Sequence, residues 1–391
     1  MKLNNPSKLK RIHFRLLVCF LALVVSLVAG EILMRVAGFE PLTVALDGYS
    51  GPKSPEYGLW ITDKRLGFRN RPDTVFHNEE IAGQPTVTID SLGYRTTWAP
   101  PDAPDTPVVG IFGDSFTIAV EVADDDTPAS HLAKKLSVRV VNGGVRCYNS
   151  IQSLRMMEET LDRYPDMQVV VYAFCFNDLN DTMLSMLPLA VGPTARLDSS
   201  GGLVIDEVQH LPAPEGSTYW QCEWPAPSFF DRLASWSALY QAAAAEGWLP
   251  KGRLFITQAE YHRWRLWAIE QGAWTISEKL LRQMRQLCER RGVKFLATCV
   301  KTIDVVPGVP EKFEAMCLRT GIPHVAVYPH FTEPIDEYLA LYQAGGRDMH
   351  YGPKGAETFA AAIAPAVKEL LREAEAKTPN ATERETDNLQ R

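Results

Sequence analysis

From residue 107 the chain switches repeatedly between short apolar runs and longer stretches whose apolar residues recur every three or four positions. This is the pattern of strands followed by helices. Val108-Val-Gly-Ile-Phe112 is an unbroken apolar run and predicts a buried strand. Pro128–Leu136 predicts a short helix with Pro in its first turn, and Val138–Val141 a second strand. Ser150–Tyr164 carries Ile151, Leu154 and Leu161 at roughly helical spacing and is followed by a third strand at Gln168–Phe174. The rhythm resumes with a helix at Ile276–Arg291, a strand at Val293–Val300, a helix at Pro310–Thr320, a strand at Val325–Tyr328 and a helix at Gly355–Leu371. Such alternation predicts an α/β fold, a doubly wound parallel sheet of about five strands with helices on both faces.

Four segments stand outside that rhythm. Residues 1–36 read as a basic segment and membrane anchor. Residues 37–106 read as an extended region holding two turns of related shape, Lys64-Arg-Leu-Gly-Phe-Arg-Asn-Arg-Pro72 and Asp90-Ser-Leu-Gly-Tyr-Arg95. Within the domain expected at 107–372, residues 181–273 form an insertion. It opens with a hairpin signal, Ser199-Ser-Gly-Gly202 before Leu203-Val-Ile-Asp206, and a helical pattern spans Phe229–Ala245. It holds Trp220, Trp224, Trp236, Trp248, Trp264 and Trp267, and Trp274 follows directly, so seven of the nine tryptophans fall in or beside it. One reading is that most simply anchor a lid-like insertion against the sheet; the alternative is that two or three line a substrate cleft, where flat rings suit sugars or acyl chains. The polar tail, 373–391, is expected to be disordered.

Charge refines the picture. Lys2, Lys8, Lys10, Arg11 and Arg15 give the first 15 residues +5, so the remainder holds 35 basic against 47 acidic side chains. A body that acidic is unsuited to nucleic acid, whose phosphates need a basic surface. Leu16-Leu-Val-Cys-Phe-Leu-Ala-Leu-Val-Val-Ser-Leu-Val-Ala-Gly30 follows the basic stretch, and the apolar pattern resumes after Glu31 through Val36. An uncleaved anchor is expected, with a cleavable signal peptide ending at Val28-Ala29-Gly30 as the rival reading. Either way, the basic flank keeps the N-terminus cytoplasmic and sends residues from about 40 onward across the inner membrane, to the periplasm or beyond. Beyond the anchor lie Cys147, Cys175, Cys222, Cys288, Cys299 and Cys317. Their spacing suggests neither a zinc site nor a disulfide scaffold, and whether export pairs two of them stays open.

The chemistry begins where the first strand ends. Gly113-Asp-Ser-Phe-Thr117 follows the apolar run directly, which puts Ser115 at the C-terminal edge of a central strand, where open α/β sheets bind ligands. Asn142-Gly-Gly-Val-Arg-Cys-Tyr148 follows the second strand and Asn177-Asp178 the third. Asp348-Met-His350 precedes the last helix. A serine hydroxyl needs a base within hydrogen-bond reach. His350 can supply it, Asp348 can fix the tautomer, and Asn177 with the loop amides can hold an oxyanion. Each piece has a bland alternative, a packing histidine, a helix-capping Asn or a turn Asp. Their joint occurrence, in order and at corresponding edges, argues against independent accidents.

On these four blocks the chain resembles the SGNH (GDSL-like) hydrolases over about 107–180 and 275–372. The anchor and the Leu66-Gly-Phe68 and Asp90–Arg95 turns resemble a bacterial subset with an N-terminal membrane helix. The resemblance implies hydrolysis or transfer of an acyl group without metal or organic cofactor. It assigns Ser115 as nucleophile, and Ser115, Cys147 and Asn177 as oxyanion donors with Gly144 as fallback. Two departures stand out. The second donor is usually Gly where this chain has Cys147, a role open to a backbone N–H if the local φ suits a residue with Cβ. Asp348 and His350 are one residue apart where many members have two between them, a shorter spacing found in some polysaccharide-modifying members. The expected activity is cleavage of an O-acyl, notably O-acetyl, ester on a cell-envelope glycan. An O-acyltransferase, a lipid esterase and an inactive glycan-binding relative are the alternatives. The partner is accordingly an acylated carbohydrate or lipid.

Overall fold

A computed structural model of the chain describes residues 6–37, 59–78, 81, 83–100, 106–183, 192–208, 229–230, 233, 237–245, 266, 268–302, 308–345 and 348–376. Two compact units are distinguished: Met1–Ser54 with Trp224–Arg263, and Pro55–Glu223 with Trp264–Arg391.

In the first unit, α1 (Pro6–Val36) is a single helix. Its stretch His13–Val36, 24 residues, is apolar and long enough to cross a membrane, and no residue of its most apolar window is fully buried. At 1.5 Å per residue it spans about 36 Å, more than the ~30 Å hydrocarbon core. Further along the same unit lies a short helix, Ala238–Ala245. Glu31 of α1 reaches its first turn: the Ser237 hydroxyl donates to the carboxylate at 2.8 Å, the Ala238 N–H at 3.1 Å and the Leu239 N–H at 3.0 Å.

The second unit begins with two hairpins, β1 (Trp60–Asp63) with β2 (Gly67–Asn70), and β3 (Thr74–His77) with β4 (Thr86–Ile89). The alternating region follows as β5 (Val108–Gly113), α2 (Ser115–Ile118), α3 (Pro128–Leu136), β6 (Arg139–Asn142), α4 (Ser150–Arg163), β7 (Met167–Phe174) and α5 (Asp178–Asp181). After it come the hairpin β8 (Thr194–Leu197) with β9 (Leu203–Asp206), then α6, which is the first unit's Ala238–Ala245, and α7 (Ala273–Arg290). The chain ends with β10 (Lys294–Cys299), α8 (Val309–Thr320), β11 (His324–Val325), α9 (Ile335–Tyr342), β12 (Gln343–Gly345), β13 (Asp348–Tyr351) and α10 (Pro353–Glu375).

Five strands form one parallel sheet in the order β11-β10-β7-β5-β6. All six residues of β5 are buried, as expected of a strand covered on both faces. Each such Val or Ile contributes roughly 1.5–3 kcal/mol by leaving water. α3 packs with α10 and α4 with α7, giving a helical layer on each side. Strand order reverses between β5 and β7, so the ligand crevice of an open sheet lies beyond their C-terminal ends. The doubly wound fold expected from the sequence is the one observed.

Two boundaries differ from the sequence reading. The expected strand at Val325–Tyr328 is only His324–Val325, and Tyr328–His330 is a 3₁₀ turn. Pro329, lacking an N–H, cannot extend a ladder there. The last helix continues to Glu375, four residues past Leu371 into the expected tail. Residues 377–391 lie outside the described residues, as do all six tryptophans of the insertion. Trp274, just past the insertion in α7, sits 6.2 Å from the Phe174 ring, packed against the sheet. The β8–β9 hairpin forms as expected and packs Ala195, Leu197, Leu203 and Ile205 on Ile151 of α4 and Ile276 and Leu280 of α7. The described cysteines, 19, 147, 175, 288, 299 and 317, are free thiols.

Candidate active site

Ser115 stands immediately beyond β5 at the first position of α2. The turn that puts it there needs Gly113: a Cβ at that residue would stand 2.4 Å from Thr117 Oγ1 and 2.7 Å from the Ala173 carbonyl. Asp114 caps the short helix, its Oδ1 accepting the Phe116 N–H at 3.0 Å. Burial pushes the Asp114 carboxyl upward, against the Phe116 hydrogen bond and the nearby His350.

His350 arrives on β13. Its Nε2 lies 2.7 Å from Ser115 Oγ. The strand is fixed by aromatic packing. Phe116 lies 4.9 Å from the His350 ring and 5.0 Å from Tyr351, and Phe331 stacks on Tyr351 at 5.6 Å. The Tyr351 hydroxyl accepts the Lys301 N–H at 2.8 Å, tying β13 to the end of β10. Gly355 lets α10 start close by, since a Cβ there would stand 2.3 Å from the Tyr342 carbonyl.

The other imidazole nitrogen, Nδ1, faces Glu121 Oε1 at 3.2 Å. Sequence reasoning does not nominate Glu121; the usable signal is a lone acid between Val120 and Val122, both buried. Asp348 lies on β13 two residues before His350, and its side chain is outside the described residues.

The loop after β6 is held from several sides. Asn142 Nδ2 donates to the Thr117 carbonyl at 2.8 Å, and Asn142 Oδ1 accepts the Gly144 N–H at 3.0 Å. Gly144 therefore does not suit the fallback donor role, because its N–H already has an acceptor. Its missing Cβ serves packing instead, as that atom would stand 2.4 Å from the Ile118 nitrogen. The extended N-terminal region grips the same loop. Asn70 Nδ2 donates to the Gly144 carbonyl at 3.2 Å, the Tyr148 hydroxyl to the Phe68 carbonyl at 2.7 Å, and Gln152 Nε2 to the Leu66 carbonyl at 2.7 Å. Cys147 holds φ +64, the left-handed conformation that glycine adopts freely.

Asn177 follows β7 and is 9 % exposed. Its Nδ2 donates to Asp181 Oδ2 at 2.9 Å, and a carboxamide nitrogen carries a second hydrogen. Asp178 is structural. Its carboxyl accepts from the Cys175 N–H at 2.8 Å and meets the Ser150 and Tyr172 hydroxyls at 3.1 Å each. Burial, with Asp114 adding to it, pushes Asp178 up to about 8. Among the described residues no group of His, Cys, Asp or Glu is arranged to hold a metal ion.

The structure thus brings Ser115 and His350 into contact and sets the Asn142–Tyr148 loop and Asn177 after neighbouring strands of the same sheet. A serine in contact with an imidazole can be deprotonated as it attacks an electrophilic carbonyl.

No family model matches the sequence, and no curated protein matches it. Among solved structures, similar folds include a member of the lipolytic protein G-D-S-L family from Veillonella parvula, with 12% identity and TM-score 0.37, covering 67% of this chain and 99% of that one. A GDSL-like lipase from Bacteroides thetaiotaomicron has 12% identity and TM-score 0.34, covering 70% and 92%. A psychrotrophic esterase from Pseudoalteromonas has 9% identity and TM-score 0.34, covering 68% and 98%. Likenesses this distant decide neither fold nor chemistry.

Proposed function

We propose that this chain is a membrane-anchored serine hydrolase of the SGNH type, cleaving carboxylic esters through an acyl-enzyme. The observation that carries the reading is the 2.7 Å contact between His350 Nε2 and Ser115 Oγ at the end of a buried strand. In this reading Oγ attacks the ester carbonyl carbon while His350 takes its proton. The negative charge that develops on the carbonyl oxygen is met by the N–H groups of Ser115 and Cys147 and by the Asn177 amide. The tetrahedral intermediate expels the alcohol, which leaves with the proton held by His350. Water then enters, loses a proton to His350 and releases the acyl group as a carboxylic acid.

The proposed substrate is an O-acyl, notably O-acetyl, group on a cell-envelope glycan. Support comes from the export signal and the tryptophan-rich insertion. The anchor is proposed to be retained, with residues from about 40 onward outside the cytoplasm. The Glu31 contacts with Ser237, Ala238 and Leu239 support retention, since cleavage at Val28-Ala29-Gly30 would cut α1 next to the acceptor that meets the first turn of α6.

The test is labelling of the full chain in detergent with a fluorophosphonate probe, which reacts quickly only with an activated serine. The wild type is expected to be modified at Ser115, and Ser115→Ala and His350→Ala to be inert. Equal labelling of wild type and Ser115→Ala, or none of the wild type, sinks the reading.

A further inference from the structure

Two features remain outside the chemistry described so far: the Asp90–Arg95 turn and the loop that leaves α2. Both converge on His350. Its Nδ1 lies 3.2 Å from Glu121 Oε1, and the Glu121 side chain is 0 % exposed. Arg146 Nη1, from the loop after β6, stands 3.3 Å from the same oxygen. The chain reaches Glu121 through Ala119 at φ +53, which closes the short helix α2. On its other side the loop is clamped by Arg95. Nη2 of that residue donates to the Val122 carbonyl at 2.9 Å and meets Asp124 Oδ1 at 3.0 Å. Burial pulls the Arg95 guanidinium down to about 10, with Asp124 and Glu121 opposing the drop, so it stays cationic at neutral pH.

We propose that Glu121 is the carboxylate that orients His350 and stabilises its charged form during the reaction. The inference rests on the reading of Ser115 and His350 as the reacting pair. A carboxylate sealed from water is costly unless cations and donors meet it. Arg146 and His350 do so here, and Arg95 adds positive charge from the other side. Arg146 has a further consequence. It favours the ionised form of Glu121, so the acid holds the imidazolium without taking its proton, as the buried carboxylate of a serine triad must. Asp348 is nominated by its nearness in sequence, but a triad is a spatial set whose members come from any order along the chain. Among the described residues, the charged groups around the imidazole include Glu121, Asp114 and, across Oε1, Arg146. The Phe116 ring covers it on another side.

The experiment compares wild type, Glu121→Gln, Glu121→Asp and Asp348→Asn in detergent, each shown to melt cooperatively. Two quantities are read: the NMR titration midpoint of the His350 ring and the rate of fluorophosphonate labelling at Ser115. Glu121→Gln is expected to lower the midpoint by about 1–3 units, because an opposite charge is removed. Labelling should slow by roughly 100- to 10,000-fold, the upper figure being the effect of the carboxylate-to-amide change in a serine triad. Glu121→Asp, which keeps the charge, should recover most of the midpoint. A merely structural role moves stability and leaves the midpoint in place. If Glu121→Gln does not fold, the wild type decides alone: an Overhauser contact between the His350 Nδ1 proton and the Glu121 Hγ protons is expected, and its absence overturns the inference. A wild-type midpoint and rate in Glu121→Gln, with both displaced in Asp348→Asn, overturns it too. An unlabelled wild type instead defeats the hydrolase reading, while the ring titration still decides the role of Glu121.

Discussion

Replacing Cys147 by Gly removes a Cβ from a residue held at φ +64. An L-residue in that conformation costs about 1–2 kcal/mol. Glycine offsets part of the relief, because its freer unfolded chain costs about 0.4–1 kcal/mol. The net effect is a stabilisation of about 0–1.6 kcal/mol, or a Tm rise of at most about 6 °C at ~2–4 °C per kcal/mol for a domain of ~150–250 residues. The backbone N–H, the group proposed to face the oxyanion, survives the change. Turnover should therefore stay within roughly tenfold, about 1.4 kcal/mol in the barrier. Proline is the wrong control. Its ring fixes φ near −65°, so Cys147→Pro would rebuild the loop as well as delete the donor. Replacing the residue 147 amide by an ester through an α-hydroxy acid removes the N–H alone and should cost ~100- to 1,000-fold. Scanning calorimetry and labelling kinetics read both effects. A Gly variant that folds and is dead means the thiol itself acts. An ester variant with full activity means residue 147 is not a donor, leaving Ser115 and Asn177, since the Gly144 N–H is already donated to Asn142.

Asn177→Ala should lower turnover ~100- to 1,000-fold with little change in substrate affinity; an equal rise in KM with unchanged kcat would remove Asn177 from the oxyanion site. Asp178, raised by burial from the ordinary carboxylate range to about 8 in the folded chain, contributes stability that is complete below its unfolded pKa and is lost as pH rises through about 8. Asp178→Asn should therefore lose less stability than wild type between about pH 5 and pH 8, and parallel losses would refute the assignment. Glu31→Ala removes the acceptor from the first turn of α6 and should speed hydrogen exchange at Ala238 and Leu239 about 5- to 30-fold, corresponding to ~1–2 kcal/mol. Unchanged protection there would mean that α1 does not hold that turn.

The sheet was legible because a strand covered on both faces must be apolar at every position, and β5 and β7 have sequences that do little else. The end of α10 was not. Lys294 pairs with Glu373 and Arg372 with Glu369 on its exposed side, and a solvated helical face has the same composition as a disordered tail. The role of the N-terminal turns was hidden for another reason. Leu66 and Phe68 act through backbone carbonyls that accept from Gln152 and Tyr148, and a carbonyl is common to all residue types. Gly144 looked like a donor because sequence shows a flexible amide but not its acceptor, and Asn142 supplies that acceptor only once β6 ends where it does.

Glu121 belongs to a different class of omission. Pattern reading seeks an orienting acid beside its histidine, and Asp348-Met-His350 satisfies that search at once. Physical chemistry supplies a second criterion that needs no motif. In Ile118-Ala-Val-Glu-Val122 all five residues are buried, and an ionised carboxylate in such a run is stable only against a cation or a set of donors. The acid must therefore have been brought to partners elsewhere in the chain, and in a fold whose proposed nucleophile lies six residues earlier those partners are close to Ser115. Arg146 and His350 are two such partners among the described residues. A lone acid inside an apolar run, next to a nucleophile, is thus a legible sign of an orienting carboxylate, and it carries weight where the motif's own acid sits at an unusual spacing.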